Sequence, residues 1–114
     1  MPIARLTLVC LLGLMLTLVV QAMADQKVTA GDVTFEVQIT GSDKDGFDIL
    51  ATNSGKTDRS CQASLTLTKK DGTKQTWKYR HSVRGDYSAN QSFYSEAGIS
   101  GAPLSDPELT AGCE

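Results

Sequence analysis

The stretch from Cys61 to Val83, CQASLTLTKKDGTKQTWKYRHSV, constrains the fold more than any other. Cys61, Ala63, Leu65 and Leu67 alternate with Gln62, Ser64, Thr66 and Thr68. Further on, Trp77, Tyr79, His81 and Val83 alternate with Thr76, Lys78, Arg80 and Ser82. A period of two marks a strand with one buried face. Between the two runs lies Lys70-Asp71-Gly72-Thr73, and Asp-Gly supplies the positive φ angles of a hairpin turn. The stretch therefore predicts a β-hairpin.

The same period recurs upstream. Val33, Phe35, Val37 and Ile39 alternate with Thr34, Glu36, Gln38 and Thr40. Gly41 to Gly46 is a turn by composition, and Phe47 to Asn53 is the next strand, with Leu50 interrupting its alternation. A first strand within residues 25–32 and a strand near Gln91–Ser95 are weaker signals. Leu109 to Cys113 reads as a last strand. Pro103 and Pro107 suit no central strand, and Pro107 fits the first position of a short helical turn starting at Ser105 or Asp106. Six to seven short strands predict an all-β fold, a small immunoglobulin-like antiparallel β-sandwich with one disulfide. A small closed barrel is the alternative. The expected inner faces hold Phe35, Val37, Ile39, Ile49, Cys61, Leu65, Leu67, Trp77, Tyr79 and Val83.

The ends of the chain suggest its compartment. Residues 1–24 have the layout of a signal peptide: Arg5, an apolar run from Leu6 to Val20, and the small-x-small site Ala22-Met23-Ala24. The run is short for a membrane span, so no transmembrane segment is expected once the signal is removed. Residues 25–114 then form a single domain, periplasmic or secreted. Cys10 leaves with the signal, and Cys61 and Cys113 are expected to pair, as cysteines of exported proteins do. No Cys-x-x-Cys is present, which argues against a redox role.

Beyond Ala24 the chain carries ten Lys and Arg against 13 Asp and Glu. The distribution is uneven: residues 59–84 hold seven bases and one acid, whereas residues 85–114 hold five acids and no base. The central hairpin is a basic island in an acidic chain. Lys74, Lys78 and Arg80 share the polar face of one strand, with Lys69, Lys70 and Arg84 at its ends. Such a face attracts an anionic glycan, an anionic lipid or an acidic protein, unless the acidic C-terminal third neutralises it. Nucleic acid is not an expected partner, because the chain is acidic and its aromatics alternate away from the cations. Tyr87, Phe93 and Tyr94 lie in a Ser/Asn/Gly-rich stretch, residues 85–102, read as a loop. They form either a second recognition surface or packing over one end of the sandwich.

Catalytic patterns are sparse. Asp43, Asp45 and Asp48 around Gly46 resemble a calcium loop, but a third carboxylate before the glycine is missing and Ser54 stands where the closing Glu belongs. A hairpin turn is the simpler reading. His81 is the only histidine and has no partners at ligand spacing; no serine sits in a Gly-x-Ser-x-Gly elbow. No catalytic residue, metal site or cofactor is expected, and the chain reads as a non-enzymatic binding or accessory protein. Its partner would be an envelope or extracellular protein, or an anionic glycan or lipid. The alternative is an inhibitor or chaperone of a secreted protein, acting through a sheet edge or the aromatic 85–102 loop. Arg84-Gly85-Asp86 matches a cell-adhesion tripeptide, a match too short to be informative, and Asn90-Gln91-Ser92 is a glycosylation sequon, meaningful only in a eukaryotic host.

FDILATNSG at residues 47–55, SLTLTKKDG at residues 64–72, and the following strand with Trp77 and Tyr79 resemble bacterial immunoglobulin-like modules of the FxLYD and CARDB types. In those modules an Asn followed by a small residue ends one strand, and an Asp-Gly turn joins the next two. The resemblance covers about residues 47–80. It implies an accessory or binding domain of an exported protein, without catalytic residues. The Cys61–Cys113 pair is not part of their common pattern.

Overall fold

The computed structural model describes residues 26–114; the expected signal peptide lies outside the described residues. The hairpin at the centre of the chain forms in the register its alternation demands. Strand β4 (Arg59–Thr68) pairs antiparallel with β5 (Lys74–Val83), from Arg59 opposite Val83 to Thr68 opposite Lys74. The turn begins one residue earlier than the Asp-Gly pair suggests. Gly72 N–H donates to Lys69 C=O at 2.9 Å, and only Gly72 takes a positive φ, +90°. Asp71 stays at negative φ and accepts from the Thr73 hydroxyl and amide. Those two bonds hold its carboxyl below the usual carboxylate range.

Strands β1 (Gln26–Ala30), β2 (Val33–Thr40) and β3 (Gly46–Asn53) form a meander, and β6 (Tyr87–Glu96) adds to β3. The result is a four-stranded sheet, β1-β2-β3-β6, packed on a three-stranded sheet, β5-β4-β7, with β7 spanning Ser105–Cys113. The chain is thus a small antiparallel β-sandwich of seven strands. It shares the β3–β6 and β4–β5 neighbours with an immunoglobulin constant domain, but keeps β2 beside β3 and places β7 beside β4.

The core lies between the layers. Val33, Phe35, Val37, Phe47, Ile49 and Ala51 of one sheet meet Cys61, Ala63, Leu65, Leu67 and Leu109 of the other. Val83, Phe93 and Leu104 complete it. Leu50 explains its own irregularity: it points to the outer face of β3, half-buried. Of the expected core, Ile39 and Trp77 are only partly buried, and Tyr79 is 38% exposed.

Two expectations need correction. Residues 85–102 are not a loop; most of them form β6. No helical turn starts at Ser105 or Asp106, because β7 begins there. Pro107 is accommodated because β7 is an edge strand and its register shifts between Thr66 and Thr68, with Asp106 at φ 50°. The Asp43–Asp45 segment is a turn between β2 and β3, with Lys44 N–H donating to Gly41 C=O at 3.0 Å.

Cys61 and Cys113 are bonded, and they sit directly opposite each other on β4 and β7. The disulfide therefore staples the last strand into its own sheet rather than joining the two layers. Two crossovers between the sheets, residues 54–58 and 84–86, clasp each other at one end. Asn53, 1% exposed, holds them: its Nδ2 donates to Thr57 C=O at 2.9 Å and to Val83 C=O at 3.2 Å, and its Oδ1 accepts from Gly55 N–H at 2.9 Å. Gly85 N–H donates to Asp58 Oδ1 at 2.9 Å, and a Cβ on Gly85 would come within 2.4 Å of Thr57 O. Only glycine fits so close to another backbone.

Candidate functional site

The two sides of the sandwich differ. On one side the edges β1 and β7 meet, and Leu109 N–H donates to the Gln26 side-chain carbonyl. On the other side the edges are β5 and β6, and they belong to different sheets. Aromatic side chains fill the gap between them. The Trp77 ring lies 5.0 Å from Phe47, and Tyr79 lies 4.3 Å from Tyr94 and 5.8 Å from Phe93. His81 approaches Phe93 at 6.3 Å. The row on the inner face of β5 is thus only partly covered: Trp77 is half-buried, and Tyr79 and His81 are exposed.

Adjacent residues Phe93 and Tyr94 both join this cluster, against the period of two. A bulge is the reason. Ile49 pairs with Tyr94 and Leu50 with Ser92, so Phe93 has no partner on β3. A bulge re-aims side chains in this way and twists the edge. Phe93 is buried against Phe35, ring centres 5.3 Å apart. Tyr94 donates to Glu96 Oε1 at 2.8 Å, and that bond together with burial raises its phenol pKa.

The outer face of β5 carries the cations. Lys74, Lys78 and Arg80 pair in register with Thr68, Ser64 and Gln62, whose small or polar side chains leave the face flat. The acidic C-terminal third reaches part of this stripe: Glu108 Oε2 lies 3.4 Å from Lys74 Nζ. Arg80 donates to Gln62 Oε1 at 2.8 Å. Among the described residues, Lys78 and Arg80 form no ion pair. The basic stripe is therefore shorter than the sequence suggests, centred on Lys78 and Arg80.

β5 has its partner on one side only, and its backbone shows which groups are free. Cys61 and Cys113 have Cα atoms 4.0 Å apart, and the adjoining bond runs from Glu114 N–H to Ser60 C=O at 2.9 Å. They form a non-hydrogen-bonded pair, so the backbone groups of Cys61 face β5. By alternation, His81, Tyr79 and Trp77 bond to β4. The N–H and C=O groups of Thr76, Lys78, Arg80 and Ser82 point to the open edge. This strand is ten residues long and runs without a bulge against β4, unlike β6.

The structure thus separates the expected site residues. Lys78 and Arg80 stay together, and Lys74 is engaged by Glu108. Tyr87, Phe93 and Tyr94 do not make one surface. Phe93 is core, Tyr94 packs in the gap, and Tyr87, 41% exposed, lies under the Arg84 guanidinium at 5.0 Å. Sequence reasoning assigned Trp77 and Tyr79 to the core and gave His81 no role. Their identity was the available signal: Trp, Tyr and His are amphipathic, and a run of them on an inner face marks a half-wet edge. Among the described residues no three His, Cys, Asp or Glu gather as metal ligands do. Among the described residues no helix is long and apolar enough to cross a membrane. The chain matches no family model, no curated protein and no solved structure.

Proposed function

We propose that this chain is an exported, non-enzymatic binding protein of the cell envelope or extracellular space that engages an anionic partner through β5. A disulfide in so small a domain suits an oxidising compartment. The observation that carries the reading is the position of β5: the strand bearing Lys78 and Arg80 is an unpaired edge. The basic face and the sheet edge, two separate candidates in sequence, are one element. The edge also favours the second reading, an inhibitor or chaperone of a secreted protein, over a purely ionic contact with a glycan or lipid.

The test is capture of partners from the source envelope and culture supernatant on the immobilised, oxidised protein, with elution by a salt gradient. The double variant Lys78→Glu/Arg80→Glu should release the partner at lower salt, with an unchanged melting temperature. A partner retained equally by both proteins would remove β5 from the contact.

A further inference from the structure

Three features of β5 together describe what would fit it. Its free backbone donors and acceptors are those of the outward residues Thr76, Lys78 and Arg80. Its outer side chains in this segment include two cations, two residues apart, without carboxylate partners among the described residues. Its inner side chains in this segment are the rings of Trp77 and Tyr79, with Tyr79 exposed and stacked on Tyr94. The sheet it belongs to is one strand narrower than its partner sheet.

From these, and resting on the reading of β5 as the contact strand, we propose that the partner supplies an extended acidic polypeptide segment that adds to β5 as a fourth strand. Side chains of an added strand alternate between faces. Acidic residues two apart would stand across from Lys78 and Arg80, and the apolar residues between them would lie on Tyr79 and Tyr94. Opposite charges directly across a strand pair attract, and like charges repel. That rule also disfavours a second copy of this chain. In an antiparallel β5–β5 pair the outer faces coincide, so the cations of both copies would crowd one surface. The added strand matches the smaller sheet in width to the larger and covers the half-wet rings. An anionic glycan would use the cations but leave the backbone groups and the rings unused.

The experiment uses a short peptide alternating glutamate with valine and phenylalanine, added to the oxidised protein. Two isomers carry N-methyl groups on alternate sets of backbone nitrogens, and a glycine–glutamate peptide of equal charge and a heparin oligosaccharide serve as controls. The alternating peptide should bind and slow hydrogen exchange at the Thr76, Lys78 and Arg80 amides. One N-methyl isomer should lose binding while the other keeps it, because only one set of nitrogens faces β5. Lys78→Glu/Arg80→Glu should weaken binding about tenfold. Equal binding of both isomers, equal binding of the glycine–glutamate peptide, or protection on β6 instead would overturn strand addition. Heparin binding with no peptide binding would overturn it too, while leaving the basic-face reading intact. Binding of neither probe would remove both. A salt-resistant dimer of the free protein with β5 amides protected would replace the acidic partner with a second copy and overturn the inference.

Discussion

At the scale of single residues, the least conspicuous position is the most consequential. Asn53 is a buried polar side chain with every bond directed at the backbone of the two crossovers. Asn53→Ala leaves Thr57 C=O and Gly55 N–H without these bonds, a loss of about 2–3 kcal/mol. Chemical denaturation should show it as a lower midpoint with an unchanged slope; a change within error would mean that water replaces the amide. The sequence marks Asn53 as the end of a strand, and the NSG pattern makes a turn legible there. It does not show that the amide reaches Val83, thirty residues on. Such a bond depends on how two distant segments pack, and no local preference encodes it. The same holds for Gly85, whose need for glycine comes from the Thr57 backbone pressed against it. Arg84-Gly85-Asp86 is accounted for by these contacts: Arg84 stacks on Tyr87, and Asp86 N–H donates to Gly55 C=O at 2.7 Å.

At the scale of elements, the open edge of β5 can be tested independently of any partner. Ser82 and His81 are neighbours, but the ladder assigns their amides to opposite sides. Ser82→Pro removes a donor that faces the open edge. His81→Pro removes one that bonds to β4 and leaves the Cys61 carbonyl unpaired, about 1–3 kcal/mol worse. Comparing thermal melts of the two variants reads the register directly. Equal destabilisation would mean that β5 is paired on both sides or shifted by one residue. Elements differ in how clearly the sequence announces them. β2 and β4 stand out because each buries one face and alternates cleanly, and β5 because ring and polar side chains alternate along it. β6 is faint because its bulge at Phe93 breaks the alternation, and half of its residues are exposed Ser, Asn and Ala. β7 is disguised by Pro107, which is compatible with a strand only at an edge. The basic stripe was legible as a face of β5. Its shortening by Glu108 was not, since that carboxylate arrives from a strand thirty-four residues away.

For the whole molecule, the disulfide sets the stability. A domain of this size buries too little surface to have much margin. Cys61 and Cys113 close a loop of 52 residues, worth about 4 kcal/mol through the entropy of the unfolded chain. At about 4–8 °C per kcal/mol, reduction should lower Tm by roughly 15 °C or more. Calorimetry with and without reductant measures this, and a shift of only a few degrees would show that β7 stays docked through Leu109 and its pairing with β4 alone. The staple also bears on the edge. It fixes β4 between β7 and β5, so the three-stranded sheet stays assembled while one side of β5 remains open.

Alternation and turn residues in the sequence were sufficient to determine that this chain is all-β and which residues of its strongest strands point to the inner face, and they placed the main hairpin turn to within one residue. Those properties follow from neighbours along the chain, from a period of two and from turn residues, all of them local. Only the tertiary structure decided which strands became edges, that the basic stripe and an open edge coincide in β5, and that Tyr79 remains exposed. Being an edge is a property of the order of strands in a sheet. That order is set by how the crossovers, the buried Asn53 and the disulfide bring distant segments together, and no stretch of sequence carries it alone.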